Sequence, residues 1–138
     1  MTKRPTPLTH TVKLRARFAE TDAMRVVHHT EYFVWFEVAR TEMLRSRGMP
    51  YTEILKRGFH IPLVEAHAEY KSPARYDDEV EVEIRPTKVG RSSIRLDYEV
   101  RKLPGKELLC TGHTVHVLVG GDGKPARIPD DLREKISS

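Results

Sequence analysis

The sequence predicts an α+β domain in which one long apolar helix packs against an antiparallel sheet. In the helix segment, large apolar groups recur at Tyr32, Trp35 or Phe36, Ala39 and Met43, a spacing that marks one buried helix face. Four later segments instead alternate apolar with polar residues and are separated by short turns, so neighbouring strands should be antiparallel. One helix against one sheet face is the economical way to bury both apolar surfaces.

The predicted elements follow the order β-α-α-β-β-β-β-α. A first strand is predicted over residues 11–18, and its alternation favours a core position for Phe18. The long helix is predicted over residues 30–47, because Gly48 provides a left-handed stop after it. Pro50 is well placed in the first turn of a second, short helix.

The second half of the chain is predicted to form strands joined by tight turns. Residues 88–91 and 103–106 have the composition of hairpin connections. Pro129 then begins a short terminal helix. Four strands are predicted around the alternating segments 64–70, 80–84, 94–100 and 115–119.

Length and composition suit one domain with a sizeable core. The chain has 138 residues, of which 38% are hydrophobic and 32% are charged. We assign residues 1–10 to a flexible N-terminal tail and residues 11–138 to a single domain. The formal charge of +4 suits an anionic partner, but acidic and basic residues are interleaved without a long Lys/Arg run. No nucleic-acid partner is therefore expected, whereas cofactor phosphates would match the same charge.

Cysteine content and hydropathy indicate the compartment. The single Cys110 rules out an internal disulfide, and a small buried role is expected for it. The start of the chain leads to no apolar segment of the signal-peptide kind, and no apolar run approaches the ~20 residues that cross a bilayer. The expected location is cytoplasmic, without membrane insertion.

The most informative segment lies just before the long helix. Asp22 precedes His29 by seven positions, and His29 and Thr30 stand where the helix begins. Because a helix N-terminus carries unpaired N–H groups and a partial positive charge, this junction can polarise a carbonyl oxygen brought close to Asp22. A carboxylate beside such a site suggests acyl chemistry, although a turn residue or helix cap is the commoner role for an aspartate at such a position.

Several segments together resemble one known family. Residues 17–24, residues 26–29 with Tyr32, and residues 36–42 resemble the hotdog-fold acyl-CoA thioesterases of the 4-hydroxybenzoyl-CoA thioesterase family. The resemblance covers about residues 11–120. Downstream, it includes the segments 62–65, 70–78 and 93–100.

The resemblance implies a hotdog fold, in which a curved antiparallel sheet wraps around the long helix. It also implies subunits paired sheet to sheet, as a homodimer or a tetramer made of two dimers, with active sites at the subunit interface. Asp22 then matches the family's catalytic carboxylate, as nucleophile or as general base. His29 matches the catalytic position whose backbone N–H faces the thioester oxygen. An acyl-CoA is the expected substrate, and no cofactor is required.

Two positions depart from the family pattern near the proposed chemistry. Arg25 replaces a glycine that is usual in the family, and Phe18 replaces a tyrosine found in one branch. Arg25 would alter the loop, pair with Asp22 or reach a substrate phosphate. The loss of the tyrosine hydroxyl at Phe18 bears on substrate choice more than on activity.

Further polar and basic residues are candidates for binding the substrate. Arg forks favour phosphate recognition, so basic side chains on turns next to strands could hold the phosphates of coenzyme A, although solvated turn charges are an equally good interpretation. The adjacent histidines should point in different directions and lack partners at metal-site spacing, so no metal is expected. The complete set of substrate-binding candidates is Arg25, His28, Tyr32, Arg75, Lys88, Arg91, Ser92 and Ser93.

The leading hypothesis is an acyl-CoA thioesterase that releases a carboxylic acid and free CoA. One alternative is a hotdog dehydratase or hydratase that acts on the carbon skeleton of the acyl chain. The other is a non-catalytic acyl-CoA-binding module, favoured by Arg25 alone. The acyl group stays open, as does the choice between CoA and an acyl-carrier protein as the thiol.

Overall fold

The computed structural model describes residues 9–137, which form a curved five-stranded antiparallel sheet with one long helix packed against it. The predicted order of helices and strands is confirmed, with a three-residue 3-10 helix (Phe18–Glu20) as the one addition. The elements are β1 (His10–Arg15), α1 (Glu31–Ser46), α2 (Tyr51–Lys56), β2 (Leu63–Tyr70), β3 (Glu79–Val89), β4 (Ser93–Lys102), β5 (Glu107–Val117) and α3 (Asp130–Ser137).

The sheet has the strand order β1-β3-β4-β5-β2, and all four pairings are antiparallel. Strands β1 and β2 therefore form its two edges. Tyr98 on β4 lies opposite Gly112 on β5, and Phe36 of α1 stacks on Tyr98 with ring centroids 4.2 Å apart. A Cβ at Gly112 would lie only 2.7 Å from the Phe36 ring, so the missing side chain lets α1 approach the sheet closely.

The core confirms the predicted apolar face of the long helix. Tyr32, Trp35, Phe36, Ala39 and Met43 are all buried. They belong to one continuous cluster that also includes the inward-facing residues of β3 and β4. Residues at this spacing share one side of a helix, and the sheet covers that side.

The expected burial of Cys110 in the second half is also confirmed. Cys110 is a buried free cysteine, and burial raises the pKa of its thiol to about 12, so it stays protonated. His113 and His116 occupy opposite faces of β5. His116 is buried, whereas His113 lies 2.6 Å from the carboxylate of Glu65 on the outer face.

The start of the domain differs from the prediction. Strand β1 ends at Arg15, and Phe18 lies in the 3-10 helix with 75% of its surface exposed, so the expected core position was wrong. The extended chain cannot continue because the Arg17 N–H turns back to the Glu20 carboxylate. His10, assigned to the tail, is the first residue of β1, while residues 1–8 lie outside the described part of the chain.

Candidate active site

The segment before α1 forms a tight loop that presents Asp22. Thr21 and Val27 form a two-residue bridge, and the Asp22 N–H donates to the carbonyl of Val26 at 3.0 Å. The Arg25 N–H donates to the Asp22 carbonyl at 2.9 Å. Arg25 has a φ of +64°, the left-handed conformation that favours glycine. The chain thus keeps the backbone shape that a glycine would allow, and pays a small steric cost for an arginine there.

Glu20 anchors this loop to the helix. The carboxylate is 4% exposed and accepts hydrogen bonds from the Trp35 indole N–H at 3.0 Å and from the Arg17 N–H at 2.8 Å. Its backbone carbonyl accepts a hydrogen bond from the His28 N–H at 2.8 Å. Glu20 was not among the residues predicted to form the site. The available clue was Trp35, because a buried indole N–H needs an acceptor.

A second anchor fixes the loop from the side of the segment that precedes β3. The Val27 N–H donates to the Ala74 carbonyl at 2.8 Å, and the Ala74 N–H donates to the Tyr32 hydroxyl at 3.1 Å. Tyr32 is buried, and burial raises the pKa of its phenol. The structure thus places this substrate-binding candidate behind the loop, where it supports the backbone.

Asp22 combines a turn role with an available carboxylate. One oxygen accepts a hydrogen bond from the Met24 N–H at 2.9 Å, which is an Asx-turn. The residue is exposed, and within residues 9–137 its carboxylate forms no ion pair with Arg25. The turn interpretation and the chemical one are therefore compatible, because the Asx-turn uses one oxygen and the second has no hydrogen-bond partner among the described residues.

His29 provides a free backbone N–H at the entrance to α1. Its carbonyl accepts a hydrogen bond from the Tyr70 hydroxyl at 2.8 Å, which fixes the peptide plane, while its own N–H donates to no group in the described part of the chain. His28 contacts the Thr30 hydroxyl at 2.7 Å through Nδ1. Because α1 begins two residues later, the His29 N–H lies at the positive end of the helix.

The basic candidates fall into two groups. Arg25 and Arg75 belong to the Asp22 corner, because Val26 bridges to Arg75. Both arginines are exposed, and neither guanidinium has an ion pair among the described residues.

The other group lies on the β3–β4 hairpin, at the far end of strand β3. β3 starts beside Arg15 and runs away from the corner for roughly 30 Å at the usual rise per residue. The Gly90 N–H closes this hairpin on the Ser93 carbonyl at 2.8 Å. Within one chain, the structure therefore does not bring the corner together with Lys88, Arg91, Ser92 and Ser93.

Two negative observations concern the described residues. No cluster of three or more His, Cys, Asp or Glu side chains in residues 9–137 is arranged to hold a metal ion. None of the helices in the same range has the length and apolar character needed to span a membrane.

The fold and the corner define a hotdog-fold protein with groups suited to acyl chemistry. The sequence profile of the Thioesterase-like superfamily matches residues 16–136, and the chain belongs to that superfamily. The family resemblance noted in the sequence is thereby confirmed.

Individual proteins and structures support the same family. The 1,4-dihydroxy-2-naphthoyl-CoA hydrolase of Prochlorococcus marinus is 31% identical over 111 residues, which cover 75% of this chain and 73% of that protein. The crystal structure of a DHNA-CoA thioesterase from Staphylococcus aureus has a TM-score of 0.88 and 32% identity, covering 94% of this chain and 89% of the other. A 4-hydroxybenzoyl CoA thioesterase structure, 23% identical, shares the fold with a TM-score of 0.85 over 94% of this chain and 99% of its own.

Proposed function

We propose that this protein hydrolyses acyl-CoA thioesters to a carboxylic acid and free CoA, with Asp22 as the reacting carboxylate and the His29 N–H as the oxyanion donor. One observation carries the proposal. An exposed carboxylate and an unused helix-start N–H are held by one loop whose backbone is fixed at Glu20 and Val27. A thioester carbonyl needs an attacker on carbon and an electrophile on oxygen, and the corner offers both.

The carboxylate can act in two ways with the same overall result. As a nucleophile, an Asp22 oxygen bonds to the thioester carbon and expels the CoA thiolate, and water then cleaves the resulting anhydride. As a general base, Asp22 accepts a proton from a water molecule that bonds to the carbon directly, and the C–S bond then breaks to release the CoA thiolate, which takes up a proton. In both routes the negative charge that develops on the carbonyl oxygen would be stabilised by the His29 N–H, where a single donor is worth about a hundredfold in rate or more.

The phosphates of coenzyme A suit the two arginines at the corner. Arg25 and Arg75 are exposed, lie on adjacent bridged segments and have no carboxylate partner in residues 9–137. Paired guanidinium groups bind phosphate through several charge-assisted hydrogen bonds. Phosphate binding is the one of the three expected roles of Arg25 that these observations support. Arg25 keeps the left-handed conformation of the loop. Among the described residues it forms no ion pair with Asp22.

We also propose a homodimer formed through the edge strand β2. Among residues 9–137 the strand pairs only with β5, and it exposes apolar side chains to solvent, including Val64 at 58%. An exposed apolar sheet edge invites pairing with a second copy, which a twofold axis satisfies. Val64→Asp should shift the protein towards a monomer in light scattering, whereas Leu55→Asp, on the exposed side of α2, should leave its mass unchanged.

The function is tested by measuring thiol release from a panel of acyl-CoAs. The panel includes short and long aliphatic thioesters, and also aromatic ones, because the similar protein of Prochlorococcus marinus carries the name of a naphthoyl-CoA substrate. Asp22→Asn should lower turnover by about a hundredfold or more, because the amide neither attacks nor accepts the proton. The substituted amide oxygen still accepts the Met24 N–H, so the loop should keep its shape.

Asp122→Asn is the matched control. Asp122 forms the same Asx-turn, with its carboxylate accepting the Lys124 N–H at 3.0 Å, but it lies on the loop after β5. Turnover unchanged by Asp22→Asn would show that another group reacts with the thioester. Absence of turnover on every thioester, with CoA binding intact, would contradict hydrolysis and favour a binding module.

A further inference from the structure

A second candidate site lies under the C-terminal half of α1. A cavity of about 470 Å³ opens between this half of the helix, the starts of β2 and β4, the end of β5 and α3. Its volume falls within the ~300–1,000 Å³ of ordinary ligand pockets. Most of its wall is apolar and includes Met43, Leu44, Ile61, Leu63, Ile94 and Leu96.

Arg40 places a positive charge in this apolar wall. Its side chain is only 20% exposed, and its one ion pair among the described residues is with Glu37 at 3.8 Å, a long distance for a guanidinium and a carboxylate. Glu37 itself extends mostly into solvent. Arg40 also forms a side-chain hydrogen bond with Tyr98. A guanidinium has five N–H donors in a planar fork, so these two partners leave capacity for a closer carboxylate on the cavity side.

His116 closes the polar part of the wall without adding charge. It is 3% exposed, its Nε2 lies 3.0 Å from the Thr114 hydroxyl, and that hydroxyl lies 2.6 Å from the Tyr98 hydroxyl. Burial, together with the nearby Arg40, lowers the pKa of His116 to about 4, so the ring is neutral at neutral pH. The positive charge facing the cavity therefore comes from Arg40, and the Glu37 carboxylate, mostly in solvent, is its counter-charge at the mouth.

We propose that this cavity binds an amphipathic organic carboxylate, with the carboxylate on the Arg40 guanidinium and the apolar body against the isoleucine and leucine wall. A buried fork favours a planar carboxylate over a cation or a neutral alcohol. The site differs from the Asp22 corner within one chain, because Arg40 lies ten residues, roughly 15 Å, along α1 from Thr30. The inference rests on the cavity and does not require the proposed hydrolysis.

The direct test is calorimetric titration of the full-length protein with octanoate, octan-1-ol and octylamine, all below their micelle concentrations. Octanoate should bind at least about tenfold more tightly than either of the other two, because only it can pair with Arg40. Arg40→Met should remove that preference and leave octanol binding unchanged. Arg45→Met is the control, since Arg45 lies on the same helix but is exposed and paired with Glu42.

Arg40→Lys is a second variant that keeps the proposal testable if Arg40→Met folds poorly. Arg40→Lys keeps the charge and loses the fork, so octanoate should bind with intermediate affinity. Methyl NMR locates the ligand independently, because octanoate should shift the resonances of Ile61 and Leu96 and leave those of Val27, beside the corner, unchanged. Equal affinity for octanoate and octylamine, or shifts confined to Val27, would overturn the proposal.

The carboxylate could belong to a free acid or to the far end of a bound acyl group, and kinetics separate the two sources. If it belongs to the acyl group, suberoyl-CoA should have a lower KM than octanoyl-CoA, and Arg40→Met should remove the difference. If it belongs to a free acid, the two thioesters should have equal KM values and octanoate should bind without competing with them. Absence of any turnover would contradict the proposed function alone, since the calorimetric result stands by itself.

Discussion

The two ends of α1 carry polar groups in opposite settings. At the N-terminal end, Asp22 and His29 are exposed, and buried groups such as Glu20 hold only their backbone. At the C-terminal half, Arg40 and His116 are themselves largely buried around a cavity. The first arrangement suits a reaction that needs water and a mobile substrate, whereas the second suits retention of a ligand. The two ends of one helix thus differ in burial, and this difference matches the two kinds of site proposed for them.

The contrast between the two ends requires that α1 packs rigidly against the sheet along its whole length. Gly112→Ala tests this packing and should have the largest effect on stability. The added Cβ would meet the His67 carbonyl at 2.5 Å and the Phe36 ring at 2.7 Å, and the carbonyl belongs to the backbone and cannot rotate away. We expect a loss of about 3 kcal/mol in the free energy of unfolding, at the upper end of overpacking costs. Denaturant titration measures it.

Gly121→Ala is the control, because no heavy atom of residues 9–137 lies within 4 Å of the added Cβ. Its stability should change by less than about 0.5 kcal/mol. If Gly112→Ala were equally harmless, α1 would not be held tightly to β5, and the two ends could move independently.

The buried end should also respond to acid through His116. Its pKa in the folded protein, about 4, lies below its ordinary value, so between these values the unfolded chain binds more protons. This contribution is complete above pH ~6.5 and is lost as the pH falls towards 4, at up to ~1.4 kcal/mol per pH unit. Unfolding titrations across this range should show a shallower acid loss in His116→Leu than in the native protein.

The matched variant for that titration is His60→Gln, which removes an exposed histidine. Its stability should follow the native curve at every pH. If the free energy of unfolding fell equally with pH in His116→Leu and in the native protein, protonation of His116 would not destabilise the fold. His116 would then be more accessible to water than the structure shows.

Substitutions of Arg25 test the exposed end of α1, and their expected effect on stability is smaller. An alanine there retains the steric cost of a positive φ, whereas a glycine does not. Arg25→Gly should therefore be more stable than Arg25→Ala by about 1 kcal/mol in thermal unfolding. Both should raise KM for acyl-CoA, since both lack the guanidinium. Equal stability of the two variants would show that the loop relaxes out of the left-handed conformation.

Most of the fold could be predicted because periodicity is a local property. The spacing of Tyr32, Ala39 and Met43 identified α1 and its buried face, and alternation located each strand. The faces of the last strand were harder to assign. Val115 and Val117 supplied the alternation, yet the structure buries the neighbouring polar residues Thr114 and His116. Hydrophobicity located β5 but could not show that its inner face carries hydroxyl and imidazole groups bonded to one another.

Site residues could be predicted where they belong to a sequence motif. They could not be predicted where their role depends on packing between distant segments. Asp22 and His29 stand out through their position before the helix and through the family resemblance. Glu20 and Arg40 look like ordinary surface charges in the sequence, because their roles depend on Trp35 and on a cavity that several distant segments enclose. Phe18 was misplaced for a related reason, since a local turn interrupts the alternation.

The central claim is that two carboxylates of one loop have different roles. Glu20 holds the loop in place, and Asp22 takes part in the reaction with the thioester. Its most direct test measures thioester turnover and denaturant unfolding side by side in Glu20→Gln and Asp22→Asn. Asp22→Asn should retain native stability and lose turnover by about a hundredfold or more. Glu20→Gln should lose about 1–3 kcal/mol of stability, because the Trp35 and Arg17 N–H groups donate to different carboxylate oxygens and the amide replaces one of these with an NH2 donor. It should keep most of its turnover while folded. The reverse pattern, with turnover abolished in a stable Glu20→Gln and preserved in Asp22→Asn, would contradict the account.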